Sequence, residues 1–227
     1  TFKILKLCKK YKVYLIEDAS EALGAKIGIN KIGSLGDVSV FSTRSEKMVG
    51  VGEGAVISTD NKELFNKISL LASRNAPFRK KENPYWKKYY SDGEGYNYLM
   101  PHLLGAVGRA QIEKFKNDTL IKKRKVGSYY RKIFNEKNFF STQEMIKGNK
   151  PVYWLNSIYF KELDKNKVIK LATYLQTKGI EVRSGFWPMS NLKKFNSKYI
   201  KGKKQISKEI FEKSIVLPSN TGLKEKD

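Results

Sequence analysis

Apolar and polar positions follow two periods along this chain, and the changes of period mark its elements. Val13–Asp18 and Val38–Ser42 are short apolar runs, rich in β-branched and aromatic residues and each ending in polar or small ones. Such runs suit buried strands of a largely parallel sheet. Gly54–Thr59 reads as a third strand. Phe2–Lys10 is amphipathic, and Lys62–Ala72 repeats its apolar residues near every 3.6 positions, which predicts a helix capped by Asp60. Between the first two strands, Ala19–Ala25 predicts a helical turn, and Gly28, Asn30, Gly33 and Gly36 predict tight turns. Leu103–Phe115 predicts a helix that packs on Gly105, Ala106, Gly108 and Ala110, and a basic helix runs on to about Phe134. The connection 74–101 is longer than packing requires, as functional or disordered loops are.

The remainder changes character. Val152–Phe160 predicts a strand, Asn166–Thr177 a helix closed by Lys178-Gly179, and Ile180–Phe186 another strand. Gln205–Lys213 predicts a helix leading into Ile215–Pro218. The expectation is an α/β chain of two parts: 1–125, with a mainly parallel sheet, and 126–227, a small C-terminal α+β domain. Thr1 is not an initiator Met, and Thr221–Asp227 reads as a helix start cut short, so a fragment truncated at both ends is expected.

Composition narrows the classes. A chain of 227 residues with 40% hydrophobic content is globular, and no apolar stretch approaches the roughly 20 residues of a membrane span. A single cysteine, Cys8, excludes an internal disulfide framework and suits a reducing cytoplasm. One Cys and one His (His102) cannot build a nitrogen and sulfur metal cage, so no metal is expected. The net charge of +23 invites a nucleic-acid reading. Against it, only seven of the 45 basic residues are Arg, and the lysines are spread along the chain. The densest groups, Lys80-Lys81, Lys87-Lys88 and Lys122–Lys125, fall in a polar loop and on a helix face, without a nucleic-acid-binding signature. A solvated basic surface is expected, with neither nucleic acid nor membrane as partner.

The candidate chemistry lies at strand ends. Lys47 follows the second strand and precedes glycines at 50, 52 and 54, which permit close backbone approach. Asp18 ends the first strand, where an acid also commonly caps a following helix. Together, an amine and a carboxylate at adjacent strand ends are what a pyridoxal phosphate enzyme needs: the amine to bond the cofactor, the acid to keep its ring nitrogen protonated. Ligands of open α/β sheets bind beyond the carboxyl ends of the strands. Ser42 ends the second strand, where a hydroxyl and nearby amides can hold a phosphate. Arg183 suits a diphosphate or carboxylate held bidentately, or a structural ion pair. Trp154 and Trp187 suit a sugar pocket or simple core packing.

Ile16–Ala25, Gly33–Ser42, Lys47, Gly52-Glu-Gly54, Gly95–Met100, Val152-Tyr-Trp154 and Gly179–Arg183 together closely resemble the DegT/DnrJ/EryC1/StrS aminotransferases, over essentially the whole chain. The resemblance implies a type I aminotransferase fold in which 1–125 is the C-terminal part of a cofactor-binding large domain. It implies pyridoxal 5'-phosphate as cofactor and Lys47 as the lysine that carries it and moves the proton. Asp18 would pair with the ring nitrogen, Glu21 would sit beside the ring, and Ser42 would bond the phosphate. Asn97 would reach the phosphate of a neighbouring subunit, making the active form a homodimer. Arg183 and Trp187 would serve the substrate. The implied reaction aminates a nucleotide-diphosphate keto sugar with L-glutamate as donor, for amino-sugar and surface-polysaccharide synthesis. Glu21 and Phe186-Trp-Pro188 are similar to members acting on 4-keto-6-deoxy sugars, the perosamine type among them. Several positions depart from the family pattern: Arg44-Ser45-Glu46 before the lysine, Ala55, Leu99 and Ser190. The lysine itself argues against dehydratase relatives, which carry His there, and Lys47 with Asp18 argues against a silent relative.

Overall fold

The computed structural model describes residues 1–76, 91, 93–136, 138–192 and 206–224. Most of the 74–101 connection, the pairs Lys80-Lys81 and Lys87-Lys88, and Gln205 lie outside the described residues. In chain order the elements are α1 (Phe2–Tyr11), β1 (Ile16–Asp18), β2 (Lys26–Ile27), β3 (Asn30–Lys31), β4 (Val38–Ser42), β5 (Ala55–Ser58), α2 (Lys62–Ala72) and α3 (His102–Lys114). One π-helical turn, Phe115–Thr119, joins α3 to α4 (Leu120–Asn135). Then come β6 (Phe140–Thr142), β7 (Asn149–Lys150), β8 (Asn156–Phe160), α5 (Lys165–Thr177), β9 (Arg183–Ser184), α6 (Ile206–Glu212) and β10 (Ser214–Leu217). The chain divides into two compact units: Thr1–Asp118 with Gly148–Pro151, and Thr119–Lys147 with Val152–Asp227.

In the first unit, β1 lies parallel to β4 with Ile16 opposite Val38 and Asp18 opposite Val40. The sheet order is β1-β4-β5, and β5 runs antiparallel to β4, so this sheet is mixed rather than mainly parallel. The reason is the connection. Residues 43–54 fold back on themselves without a crossover helix, and only a crossover can return a strand in parallel. The first strand begins at Ile16 rather than Val13, because Leu15 uses its N–H on the Asp37 carboxylate at 2.7 Å instead of on a strand partner. Ala19–Ala25 forms successive turns and no helix. A second small sheet orders β3-β2-β7.

α2 has the predicted bounds, but its cap is Asn61, whose side chain accepts from the N–H groups of Glu63 and Leu64. α3 packs on one stripe only. Leu104, Gly108 and Gln111 are half-buried and Phe115 is buried, whereas Gly105, Ala106 and Ala110 are exposed, because the 3.6-residue pitch turns them away.

The second unit is a four-stranded antiparallel sheet, β6-β8-β10-β9. Its core gathers Ile158, Phe160, Val168, Val182 and Ile215, with Phe134, Phe140 and Leu171 packed against them. Each such side chain contributes roughly 1.5–3 kcal/mol on burial. α5 is started by Asp164, which accepts from the Lys167 N–H at 2.9 Å. The strand expected over Ile180–Phe186 is reduced to β9, the two residues that find a partner in β10.

The basic cluster Lys122–Lys125 is not uniformly solvated. Lys123 is 6% exposed, on the inward stripe of α4 with Leu120, Val126 and Gly127. Its ammonium donates to the carbonyls of Trp154 (2.8 Å) and Ser219. Burial lowers its pKa from 10.5 to about 8.

Candidate active site

The site is built at the carboxyl ends of β1 and β4. Beyond Ser42 the chain closes a loop on itself: Thr43 N–H donates to Gly54 O at 2.9 Å, Val51 N–H to Thr43 O at 2.8 Å, and Ser45 N–H to Gly52 O at 3.0 Å. Inside it, the Lys47 N–H donates to Arg44 O at 2.9 Å, and Val49 and Val51 are buried. The loop therefore carries Lys47 on a backbone anchored from both ends.

The Lys47 side chain is only 10% exposed, and its ammonium donates to the Glu21 carboxylate at 3.1 Å. Glu21 stands on the turn after β1 and is itself open to solvent. Asp18, the last residue of β1, accepts on Oδ1 from the N–H (3.1 Å) and the hydroxyl (2.5 Å) of Ser20. Its carboxyl is held below the usual range, first by those Ser20 hydrogen bonds and then by the positive charge of Lys47, which outweigh a small desolvation effect. Both hydrogen bonds fall on Oδ1, so Oδ2 is left for a ligand. Ser42 ends β4, and its hydroxyl accepts from the Arg44 N–H at 3.3 Å.

Lys47, Glu21, Asp18 and Ser42 thus share one edge of one sheet. Asn97 is held elsewhere in the first unit, in an antiparallel bridge to Ser73 at the end of α2, and is exposed. Arg183 and Trp187 belong to the second unit. The Arg183 guanidinium lies 5.9 Å from the Trp154 ring centre and 5.6 Å from that of Phe186, and the two rings are stacked on each other at 6.3 Å. Trp187 meets Phe211 edge-on at 4.9 Å and remains about half exposed. His102 is the exposed first residue of α3.

One acid that sequence reasoning passed over supports this edge. Glu17 points to the opposite face of β1 from Asp18 and accepts from the N–H groups of Gly33 (3.1 Å), Leu35 (2.7 Å) and Gly36 (2.7 Å). Burial raises its pKa, but the bonds from Gly36, Leu35 and Gly33 outweigh that and hold the carboxyl below its ordinary value. Gly36 is required here, since a Cβ would stand 2.6 Å from the Leu15 carbonyl. The available signal was a charged residue at an inward position of a strand.

These residues fit pyridoxal phosphate on their own chemistry: a shielded amine, a strand-end carboxylate with one oxygen uncommitted, and a hydroxyl at the neighbouring strand end. Among the described residues no group of three His, Cys, Asp or Glu could hold a metal ion, and no helix is long and apolar enough to cross a membrane.

Comparison with known proteins bears on the family and the fold. The sequence profile of the DegT/DnrJ/EryC1/StrS aminotransferase family matches residues 2–227. GDP-perosamine synthase of Escherichia coli O157:H7 is 30% identical over 220 residues, covering 96% of this chain and 56% of that protein. UDP-4-amino-4,6-dideoxy-N-acetyl-beta-L-altrosamine transaminase of Campylobacter jejuni (strain 81-176) is 36% identical over 144 residues, covering 62% of this chain and 36% of that protein. Among solved structures, Helicobacter pylori PseC, an aminotransferase involved in the biosynthesis of pseudoaminic acid, superposes with a TM-score of 0.85 at 22% identity. The match covers 98% of this chain and 58% of PseC, and establishes the fold as that of the sugar aminotransferases. The chain spans little more than half the length of the GDP-perosamine synthases it matches, 56% and 57% of those from E. coli and Vibrio cholerae.

Proposed function

The chain belongs to the DegT/DnrJ/EryC1/StrS aminotransferase family, and from that premise we propose that its protein transfers an amino group to the keto group of a nucleotide-linked sugar, with pyridoxal phosphate held at Lys47. The observation that carries this reading is the Lys47 amine, nine-tenths shielded and 3.1 Å from Glu21, at the carboxyl ends of two parallel strands that also present Asp18 and Ser42. When bound, the cofactor supplies an aldehyde to receive the donor amine and a ring that withdraws electrons.

The chain's own residues divide the remaining work. Lys47 Nζ would hold the cofactor at rest and, once free of it, would serve as the acid and base that takes up and returns a proton. Asp18 would hold the ring nitrogen in its protonated form, and its depressed pKa keeps the carboxylate charged for that task. Ser42 would offer its hydroxyl to the phosphate. Glu21 would stand beside the ring, where its carboxylate also pairs with the Lys47 ammonium. In this reading residues 1–125 provide the cofactor site and 126–227 the small domain, and Asn97 serves the phosphate of a second copy in a homodimer. Arg183, set against the Trp154 and Phe186 rings, binds the diphosphate, and Trp187 flanks the sugar. The 30% identical GDP-perosamine synthases support a nucleotide-linked sugar as acceptor, and the reading takes it to be a 4-keto-6-deoxy sugar with L-glutamate as donor.

The test is to express the protein from its complete gene, add pyridoxal phosphate, and treat it with borohydride. A visible band that is lost on reduction, with the cofactor then mapped covalently to Lys47, is expected. The same labelling in Lys47→Ala would overturn the reading. A panel of nucleotide keto sugars with glutamate then identifies the acceptor.

A further inference from the structure

The loop that carries Lys47 is fastened from outside by a residue the catalytic reading does not use. Gln111, half-buried on α3, accepts from the Gly50 N–H at 3.1 Å and donates its own amide N–H to the Gly50 carbonyl. One side chain thus satisfies both polar groups of one residue, 61 positions away in sequence and three after Lys47. Asn offers the same two groups on a shorter stem, and Glu keeps only the acceptor when ionised. The approach is tight. A Cβ at Gly108, one turn before Gln111, would lie 3.1 Å from the Val51 side chain, so the absence of that atom lets α3 reach the loop.

We infer that Gln111 is a positioning residue for Lys47: its paired hydrogen bonds to Gly50 fix the loop so that the amine stays shielded beside Glu21. The loop's own hydrogen bonds pair Thr43 with Gly54 and Val51, and Ser45 with Gly52, whereas both Gly50 groups go to Gln111. Without it those groups turn to water, and the segment between Lys47 and Val51 loses its outer anchor. This rests on Lys47 being the cofactor lysine, although the geometry it concerns exists without cofactor.

The test uses Gln111→Glu, which loses the donor, and Gln111→Met, which loses both contacts but keeps the apolar stem. In the protein without cofactor, acetic anhydride labelling is followed by peptide mass spectrometry, with Lys123 as the internal standard for a buried lysine. Labelling of Lys47 relative to Lys123 should rise about tenfold in both variants, as losing about one hydrogen bond allows. Hydrogen exchange of the peptide containing Gly50 should quicken by a similar factor. The pyridoxal phosphate concentration for half-maximal borohydride trapping should rise about tenfold as well. Unchanged Lys47 labelling, an equal rise at Lys123, or failure of both variants to fold would each overturn the inference. Absence of trapping on Lys47 in the unmodified protein would instead defeat the proposed function and leave the labelling result standing.

Discussion

Two lysines are withdrawn from solvent, one in each unit, and they are withdrawn for opposite ends. Lys47 sits in a glycine-rich loop beyond a strand, 10% exposed, facing the carboxylate of Glu21 at a site edge that also holds Asp18. Lys123 sits inside α4, 6% exposed, and both its hydrogen bonds go to main-chain carbonyls. Depth of burial does not single out the amine proposed to bond the cofactor. Lys123 is spent on joining α4 to the segments at Trp154 and Ser219, and its lowered pKa is the cost of desolvation without a neighbouring acid. Lys47 instead faces the Glu21 carboxylate at the strand-end edge proposed to take the cofactor.

The strongest way to break this contrast is to remove each amine in turn. Lys47→Ala should abolish cofactor trapping and lower transamination by roughly a thousandfold or more, with the melting temperature nearly unchanged. Lys123→Met should do the reverse, lowering the melting temperature by leaving two carbonyls unpaired while trapping on Lys47 persists. Asp18→Asn should retain trapping but lower turnover about a hundredfold, measured as kcat with saturating substrates.

A smaller effect sharpens the comparison on the first unit's side. Glu17→Gln should cost about 1.5–3 kcal/mol near neutral pH, read from denaturant unfolding, because a carboxylate accepting several N–H bonds is replaced by an amide. Glu17 has a lowered pKa in the folded state, so its contribution is full above the ordinary value of 4.5 and is lost as pH falls through the folded value. The mutant and the unmodified protein should therefore converge in acid. For Lys123 the sign is the same, in a more alkaline window. Between about pH 8 and 10.5 the unfolded amine holds a proton that the folded one has released, so stability rises with pH across that window. Lys123→Met should flatten that rise.

How much of this was legible in advance differs by element. α2 was bounded correctly because its period of 3.6 is a local signal, but its cap was placed one residue early. Asp60 and Asn61 have similar capping chemistry, and only backbone geometry chooses Asn61. The order Asp18, Ser42, Lys47 was readable because strand ends are marked by local composition. Lys123 was read as part of a solvated basic face because its neighbours Lys122, Arg124 and Lys125 are charged. Burial depends on which stripe of α4 meets the second unit's core, and the tetrad of basic residues hides that stripe. Glu17 carried only the mark of a charged residue at an inward strand position, and Gln111 carried no local mark at all.

The sequence by itself determined α2, the carboxyl ends of β1 and β4 and the identities of the chemical groups, since these follow from hydrogen bonds and side-chain periods within a few residues. The tertiary structure decided the antiparallel course of β5, which of two buried lysines faces an acid, and the clasp between Gln111 and Gly50. Each of those depends on contacts between segments far apart in the chain, and no local pattern of polar and apolar residues specifies which distant backbone groups a side chain will meet.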